Sequence, residues 1–410
     1  MKFFNESNIF FKRLFKKVVF LIPALFAVLI LRMLRPWLLI RIGVLISDRI
    51  GHFVGNVEIY LCEKQEKINQ PLTRHIDIFY MQENKICNQQ VAIMWKRELH
   101  IWPSWFVGPI LVINNIIPGG SAHLVGNNTF HDKDVHGLLD RQPSHLKFSD
   151  EEIIKGKKEL VKMGLSDDSA FVCLSVRDSA YLSGDYWSYH NYRDSDIKNY
   201  RIAAEALASR GLYVIRMGAK VKDKMNSNNH LIIDYATNGN RSEFMDVYLG
   251  AKCLFCISSG SGWDSIPIAF RRPVVYANYT AFAFQYTAEK IFLAIPKHHY
   301  SIKLKRKLSI FEIVESDVGY AFRSKDYLDN DIILIENTPE EILYLSIEAL
   351  ERITGNWIET IKDIELQELF LSKIPKNKVK DLQGNFLKPH SSSRVGISFL
   401  KNSVPLKKLF

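Results

Sequence analysis

The segment from Cys253 to Asn278 constrains the fold of this chain most, because it fits a strand, a loop, a helix and a second strand into one short unit. The apolar run Cys253 to Ile257 has the length of a buried strand, and Val274 to Ala277 has the pattern of the next strand. A helix between successive strands is typical of a parallel sheet. The chain is therefore expected to contain an α/β domain.

The loop between these two strands consists of small residues: Ser258, Ser259, Gly260, Ser261 and Gly262. Such a loop lets the backbone turn closely around an anion. Helical spacing resumes near Asp264, so free amides and the positive end of the helix dipole are expected to favour a phosphate, with the serine hydroxyls as further donors. The alternative is an ordinary Gly/Ser turn of an α/β domain.

The same alternation of strand and helix runs through the second half of the chain. Strands are predicted at Phe171 to Val176, Tyr213 to Met217 and Leu231 to Tyr235. Ser195 is expected to cap one of the intervening helices, and Ser242 to Ala251 is expected to form another. Several such units in succession predict a doubly wound parallel sheet, in which ligands bind beyond the carboxyl ends of the strands.

Polar residues stand at those predicted strand ends. They are Arg177, Asp178, Arg216, Gly218, Asp234 and the serine and glycine residues of the loop. The arginines have the charge to contact a diphosphate that the loop would surround, so three separate strand ends agree on one anionic ligand. The competing interpretation is that Arg177 and Arg216 only pair with neighbouring carboxylates.

The first half shows a similar alternation with weaker signals. Strands are predicted at Leu38 to Ile46, His75 to Met81 and Pro109 to Ile113. The pattern therefore predicts a Rossmann-like domain over residues 38–147 and a second one over residues 148–335, where Ser149 and Glu152 form a capping box. A helix and a basic tail are expected over residues 336–410.

Net charge of +10 over 410 residues favours an anionic partner such as a nucleotide, a nucleic acid or an acidic membrane surface. The basic residues form no nucleic-acid motif, so no nucleic-acid partner is expected. The five cysteines lie in or beside apolar runs and are expected to be reduced and buried. Asp132 and Asp134 form a DKD that mimics a metal-binding motif, but no metal and no cofactor are predicted.

The amino-terminal segment, residues 1–37, carries the membrane signal. Lys12, Arg13, Lys16 and Lys17 precede an apolar run from Val18 to Leu31, and Arg32 and Arg35 follow it. This run is short for a membrane span, which needs about 20 residues. A helix held at the membrane surface is favoured, because lysines attract anionic lipid while the apolar face inserts. A signal anchor and a buried core helix are the alternatives.

A family resemblance adds to this pattern and covers most of residues 40–280. The sequence resembles bacterial glycosyltransferases of surface-polysaccharide gene clusters in these blocks: DRIGHFVGNVEIYL, DVHGLL, VRDSAYL, YHNYRDSDIKNY, VIRMG, IIDYA, EFMDVYL and SSGSGWDSIPIAFRRPVVYAN. The resemblance implies a GT-B architecture, in which two Rossmann-like domains face a cleft and the nucleotide sugar binds mainly to the carboxyl-terminal domain. It also implies sugar transfer to a surface-glycan or lipid-linked acceptor. The amino-terminal segment favours a location at the cytoplasmic face of the inner membrane, peripheral or N-terminally anchored.

Sugar transfer defines roles for the candidate residues. Arg177, Arg216 and the amides of Ser258 to Gly262 are expected to stabilise the leaving diphosphate without a metal, and Asp264 to contact the ribose or sugar. Asp178 and Gly218 are assigned to donor binding. His52 is the candidate base for the acceptor hydroxyl, with Asp48, Asp134 and His136 in reserve. A nucleotide-sugar epimerase of the same fold and a noncatalytic polysaccharide-assembly protein are the alternatives.

Overall fold

A computed structural model describes residues 20–82, 85–126, 134–166, 168–181, 184–283, 293–378, 386 and 394–403. The chain divides into two compact units, Met1–Asp132 and Lys133–Phe410. The boundary predicted from the sequence lies after residue 147 instead. Lys12, Arg13, Lys16, Lys17 and Asp132 lie outside the described residues.

The first unit contains a small parallel sheet with helices packed around it. Strand β1 (Leu39–Leu45) pairs in parallel with β2 (His75–Met81), from Leu39 opposite His75 to Leu45 opposite Met81. Isolated parallel bridges at Leu124 and Ile101 extend the two edges. The helices are α1 (residues 20–34), a π-helical turn (His52–Asn56), α2 (Val57–Gln65), α3 (Gln89–Glu98), α4 (Ser104–Ile116) and a short 3-10 helix (Gly120–His123).

A buried ion pair lies between the two strands of the first unit. Arg41 on β1 donates from Nε and Nη2 to the two carboxylate oxygens of Asp77 on β2, both at 2.7 Å. Tyr60 on α2 donates to the same carboxylate, and Gln70 accepts from Arg41 at 2.7 Å. The buried charges of Arg41 and Asp77 are therefore paired with each other and hydrogen-bonded to neighbouring side chains, as buried charges in proteins generally are.

The predicted third strand of the first unit is wrong. Pro109 to Ile113 lies inside helix α4, where Val107, Ile110 and Asn114 are buried. That spacing of three and four residues is helical, so one face of the segment contacts the protein while its other apolar residues point outward. The uninterrupted apolar run could not distinguish the two structures, and the described first unit has two paired strands in place of a full Rossmann-like sheet.

The described residues of the second unit contain a seven-stranded parallel sheet. The strands are β3 (Phe171–Ser175), β4 (Tyr213–Arg216), β5 (Ile232–Ile233), β6 (Cys256–Ser258), β7 (Val274–Tyr279), β8 (Leu293–Pro296) and β12 (Arg394–Val395). They lie side by side in the order β12, β8, β7, β6, β3, β4, β5. A three-stranded antiparallel sheet joins β9 (His298–Ser301), β10 (Arg306–Lys307) and β11 (Ile332–Ile335). The doubly wound parallel sheet predicted for this part of the chain is confirmed.

Helices and 3-10 turns connect these strands and cover the sheet. The α-helices are α5 (Asp150–Lys162), α6 (Arg201–Ala208), α7 (Glu243–Lys252), α8 (Ser265–Ala269), α9 (Ile310–Glu315), α10 (Ser324–Leu328), α11 (Pro339–Thr354), α12 (Ile361–Lys373) and α13 (Ile397–Ser403). The 3-10 helices are Asp185–Arg193, Ile197–Tyr200, Gly262–Asp264 and Asp317–Tyr320. Apolar side chains of the central strands are almost fully buried between these helices, which places the core around the sheet.

Two helix caps test the local predictions. Ser149 and Glu152 form the expected capping box at the start of α5. The cap predicted at Ser195 is wrong: the neighbouring Asp196 accepts from the amide of Lys198, and the helix begins with a 3-10 turn before α6. Aspartate and serine are similarly good capping residues, so their identities did not indicate which of the two adjacent positions caps the helix.

Helix α1 confirms that the amino-terminal apolar run is helical over residues 20–34. No helix in the described part of the chain is long and apolar enough to cross a membrane.

Candidate functional site

The chain reverses its direction across the large sheet between β3 and β6. From β3 it proceeds outward through β4 and β5, and it then returns to the other side of β3 and proceeds through β6, β7 and β8. Such a switch point leaves a crevice at the carboxyl ends of the two central strands, where α/β proteins bind ligands. Ser175 of β3 and Ser258 of β6 are opposite each other at this point.

The serine loop, Ser258 to Gly262, closes on itself through the hydroxyl of Ser258. That oxygen accepts from the amides of Gly260 at 3.0 Å and Ser261 at 3.3 Å, and it donates to Oδ2 of Asp264 at 2.8 Å. Gly260 has a φ of 84°, the left-handed conformation that favours glycine. These bonds use two of the amides that were expected to contact an anion, those of Gly260 and Ser261, so these two amides hold the loop in shape.

The same loop is joined to the end of β3. The amide of Ser259 donates to the carbonyl of Ser175 at 3.2 Å, and the amide of Arg177 donates to Oγ of Ser259 at 2.8 Å. The hydroxyls of Ser175 and Ser261 are 2.7 Å apart. The two strand ends therefore form one hydrogen-bonded frame that fixes where Arg177 leaves the sheet.

The helix that follows the serine loop is shorter than the sequence suggests. A single 3-10 turn, Gly262–Asp264, precedes the five-residue α8, Ser265–Ala269. Because the dipole effect depends on aligned peptide units, so short a helix contributes little positive potential. Any positive charge offered to a ligand here must come from side chains.

Three basic side chains lie beside this frame, and they are called the basic cluster: Arg177, Arg193 and Lys297. Arg177 donates from Nη1 to the carboxylate of Asp194, and Lys297 donates from Nζ to its carbonyl oxygen. Arg193 donates from Nη1 to the carbonyl of Gly260 at 3.3 Å. Lys297 directly follows β8, so the cluster gathers side chains from separate strand ends.

Burial changes the pKa values of Arg177 and Lys297. Burial, followed by repulsion from Arg193, lowers the pKa of Arg177 to about 10. Burial lowers the pKa of Lys297 to about 8, Glu336 acts in the opposite direction and Arg177 lowers it further. Basic groups held together in a poorly solvated place have shifted pKa values, and such shifts are concentrated at functional sites and in structural ion pairs.

Asp264 is a buried carboxyl group that is hydrogen-bonded to the serine loop. Burial raises its pKa to about 7, while hydrogen bonds from Ser258 and the nearby Arg193 oppose that rise. The backbone of Ser261 and Ser265 also donates to it. Asp264 therefore lies beside the basic cluster, and its role in contacting a ribose or sugar stays a prediction.

Arg193 and Lys297 were not identified from the sequence. Arg193 stands in the YHNYRDSDIKNY block, within a polar loop and not at the end of a predicted strand, so the strand-end pattern does not select it. Lys297 lies 103 residues from Asp194 and follows a strand that the sequence analysis did not predict. A search for basic residues directly after every apolar run would have found Lys297.

Arg216 and Asp178 are engaged within the protein. Arg216 is almost fully buried and donates from Nη1 to Asp234 at 3.2 Å. Asp178 accepts from the amides of Ala180 at 2.9 Å and Lys222 at 2.8 Å. Both arginines therefore form ion pairs within the protein, Arg216 with Asp234 and Arg177 with Asp194, and their contact with a diphosphate stays a prediction.

Gly218 has a structural reason to be glycine. A Cβ atom there would lie 2.4 Å from Cγ1 of Val221 and 3.3 Å from Cβ of Ala236, with φ at 156°. The residue allows two loops to approach closely, and its assignment to donor binding stays a prediction.

The predicted bases lie on different parts of the chain. His52 belongs to the first unit, where it begins the π-helical turn with Nδ1 at 3.3 Å from Oδ1 of Asn56. Asp48 in the same unit is exposed. Asp134 in the second unit is buried and accepts from the amides of Leu138 and Leu139, so it holds a turn, and His136 lies in that turn.

An aromatic segment borders the basic cluster. In the 3-10 helix Asp185–Arg193, the ring of Trp187 is stacked with the rings of Tyr189 and His190. The guanidinium of Arg193 lies 5.6 Å from the ring centre of Tyr192. Tyr186 is 77% exposed. Aromatic faces beside cations suit a base or a sugar ring next to phosphate.

No family model and no curated protein sequence matches the chain. Solved structures that match include a glycosyl transferase family 9 protein from Veillonella parvula, with a TM-score of 0.37 and 8% identity over 58% of this chain and 79% of that one. E. coli ADP-heptose LPS heptosyltransferase II matches with a TM-score of 0.33 and 14% identity, over 58% of this chain and 84% of that one. A protein assigned as a UDP-N-acetylglucosamine 2-epimerase from Listeria monocytogenes matches with a TM-score of 0.25 and 8% identity, over 58% and 79%. These TM-scores are too low to assign a function, which has to come from the residues of the site.

Proposed function

We propose that the chain is a glycosyltransferase that binds the diphosphate of a nucleotide sugar with the basic cluster, Arg177, Arg193 and Lys297. The observation that carries this proposal is the position of the cluster, beside the serine loop at the switch point of a doubly wound sheet. Ligands of such sheets bind at this place. The sequence resemblance to surface-polysaccharide glycosyltransferases supports the same reaction class.

The chemistry of sugar transfer explains why cations are needed here. The leaving nucleoside diphosphate gains negative charge as the glycosidic bond breaks, and fixed positive charges stabilise that state more than the ground state. Burial strengthens the effect, because the charges of Arg177 and Lys297 are poorly screened by water. We propose that these side chains supply the charge without a divalent metal ion.

The frame around the cluster would position the donor. The bond between Arg193 and Gly260 joins the aromatic segment to the serine loop, so the base or sugar would lie near Tyr189 and His190 while the diphosphate contacts the cations. His52 stays the candidate base for the acceptor hydroxyl, and the acceptor is proposed to be a surface glycan or a lipid-linked sugar.

Calorimetric titration of the purified chain with UDP-, GDP-, ADP- and dTDP-sugars, and with a CMP-sugar, tests the proposal. A diphosphate site should prefer one of the diphosphate sugars to the CMP-sugar, which has a single phosphate. Replacing Lys297 by Met should weaken binding at least tenfold. The matched control is Lys158→Gln, which removes one exposed positive charge on α5 and should leave binding unchanged.

NMR of the bound nucleotide sugar separates the reaction classes. Release of nucleoside diphosphate, stimulated by an acceptor, supports transfer. Inversion of a sugar carbon in the free nucleotide sugar would favour the epimerase, and binding without any turnover would favour a noncatalytic assembly protein. Failure of folded protein to bind any nucleotide sugar would contradict the donor site itself.

A further inference from the structure

Two helices of the first unit lie side by side and share one small apolar core. Ala24 and Val28 of α1 are buried against Val107 and Ile110 of α4, with Ile42 of β1 beneath them. The rings of Phe20 and Trp105 are 6.1 Å apart near the starts of the two helices. The pair therefore forms one continuous surface.

The ends of the two helices are joined by a polar clamp. Arg32 in α1 donates from Nη2 to Oδ1 of Asn114 at 2.9 Å and from Nη1 to the carbonyl of Gly119 at 2.5 Å. Asn114 in turn donates to the carbonyl of Gly120 at 3.0 Å. This network fixes α1 and α4 relative to each other, so their outward side chains are held as a single face.

The outward side of this helix pair is almost wholly apolar, and it is called the apolar face. Its exposed large side chains are Phe20, Ile22, Leu25, Phe26, Leu29, Ile30, Met33, Trp105, Phe106, Val112 and Ile116. The sequence has no charged residue over 20–31 or over 101–118. Proteins that remain in water rarely expose a contiguous apolar surface of this kind.

The edges of the apolar face carry tryptophan and basic residues, which are common at the membrane–water interface. Trp37 follows α1 and is 75% exposed, while Trp102 is exposed just before α4. Tryptophan is enriched at the level of lipid headgroups. Arg35 is exposed near the end of α1, and in the sequence four basic residues precede the apolar run: Lys12, Arg13, Lys16 and Lys17. Positive charge thus flanks an uncharged surface, which complements anionic headgroups around acyl chains.

We propose that α1 and α4 together form a docking face that inserts into the headgroup region of a bilayer containing anionic phospholipid. Both helices keep one side against the sheet of the first unit, so they lie along the membrane surface with their other side in the lipid. The face differs from an amino-terminal anchor alone, because α4 contributes half of the helix pair. It is independent of the reaction proposed above.

Vesicle co-sedimentation of the full chain tests this proposal. We expect binding to vesicles of phosphatidylcholine with phosphatidylglycerol, weaker binding to phosphatidylcholine alone, and a further loss at high salt. The variant W105E/F106E places two charges on the outward side of α4 while leaving Val107 and Ile110 intact. It should reduce partitioning at least tenfold, and L29E/I30E should do the same on α1.

The matched control is I358E/I361E, which charges two exposed apolar residues of the second unit and should bind vesicles as the unchanged chain does. Circular dichroism establishes that each variant is folded. Light scattering without lipid tests for a second copy on the apolar face. Equal vesicle binding by folded W105E/F106E, no binding by the unchanged chain, or a dimer that this variant dissociates would each overturn the proposal.

Discussion

Arg193 donates from Nη1 to the carbonyl oxygen of Gly260 at 3.3 Å, which joins the aromatic 3-10 helix to the serine loop. Gly260 has a left-handed backbone, with a φ of 84°. Asp194, which follows Arg193 in the chain, accepts hydrogen bonds from Arg177 and Lys297. One short peptide segment therefore holds all three members of the basic cluster in place.

Lys297 gives the proposed diphosphate site a specific pH dependence. Its pKa of about 8 means that the side chain is charged at pH 7 and largely neutral at pH 9. A ligand that needs this charge should lose about tenfold in affinity over that interval. The measurement is a calorimetric Kd for the best nucleotide sugar at pH 7, 8 and 9.

The variant Lys297→Met is the comparison for this pH series. It should bind more weakly at pH 7 and show a flatter profile up to pH 9, because the titrating group is gone. An unchanged profile in the variant would mean that another group titrates, and Lys297 would lose its place in the site.

Ser258 should be the most important hydroxyl of the serine loop for stability. Its Oγ accepts from the amides of Gly260 and Ser261 and donates to Asp264, and the residue is fully buried. Ser258→Ala leaves these buried groups without their partner and is expected to lower the free energy of unfolding by roughly 2–3 kcal/mol. Urea denaturation provides the measurement.

Ser209→Ala is the control for the loss of a hydroxyl. Ser209 is exposed and its hydroxyl donates to the carbonyl of Ala206 at 2.9 Å, so removal of this hydroxyl should change stability by less than about 0.5 kcal/mol. If the two variants are equally stable, the loop does not depend on the Ser258 hydroxyl.

The fold of the second unit could be predicted because each strand and helix leaves a local signal. Every residue of Phe171–Ser175 is buried, which matches an apolar run of strand length, and Ser242 caps α7 as its position suggests. Pro109 to Ile113 gave no such signal, because an apolar segment that exposes part of its surface has neither the alternation of a strand nor a polar helix face.

The site was only partly predictable, because its bonds join distant residues. Arg177 and the serine loop were found, since both directly follow apolar strands. The internal bonds of the loop were missed, because the sequence does not reveal that the Ser258 hydroxyl would take the amides of its neighbours. Lys297 comes near Arg177 because both side chains bind Asp194, and no local sequence pattern reveals that shared partner.

Arg216 provides a test of structural against ligand-binding roles. Its guanidinium is 1% exposed and pairs with Asp234, which also accepts from the amide of Met225 and the hydroxyl of Thr237. Asp234→Ala should therefore cost about 3 kcal/mol of stability, because a buried charge loses its partner. Chemical denaturation measures this change.

Comparison with R216M/D234A completes that experiment. Removing both partners should be less destabilising than removing Asp234 alone, since no uncompensated charge remains. In contrast with Lys297→Met, Arg216→Lys should weaken nucleotide-sugar binding by less than about threefold if its role is structural. A larger loss in folded protein would restore Arg216 to the donor site.

Asp264 should make the protein more stable on mild acidification. Its pKa of about 7 in the folded state lies above the ordinary value of 3.8, so between these values the folded state binds more protons than the unfolded state. The contribution to stability is then greatest at low pH and is lost as pH rises through 7.

Asp264→Asn, which cannot titrate, removes this contribution. From pH 7.5 to pH 5.5 the unchanged chain should gain roughly 1–2 kcal/mol relative to the variant, as measured by urea denaturation at each pH. Parallel stability curves for the two proteins would show that Asp264 is already charged throughout this range, and the serine loop would then enclose a carboxylate beside Arg193 instead of a neutral acid.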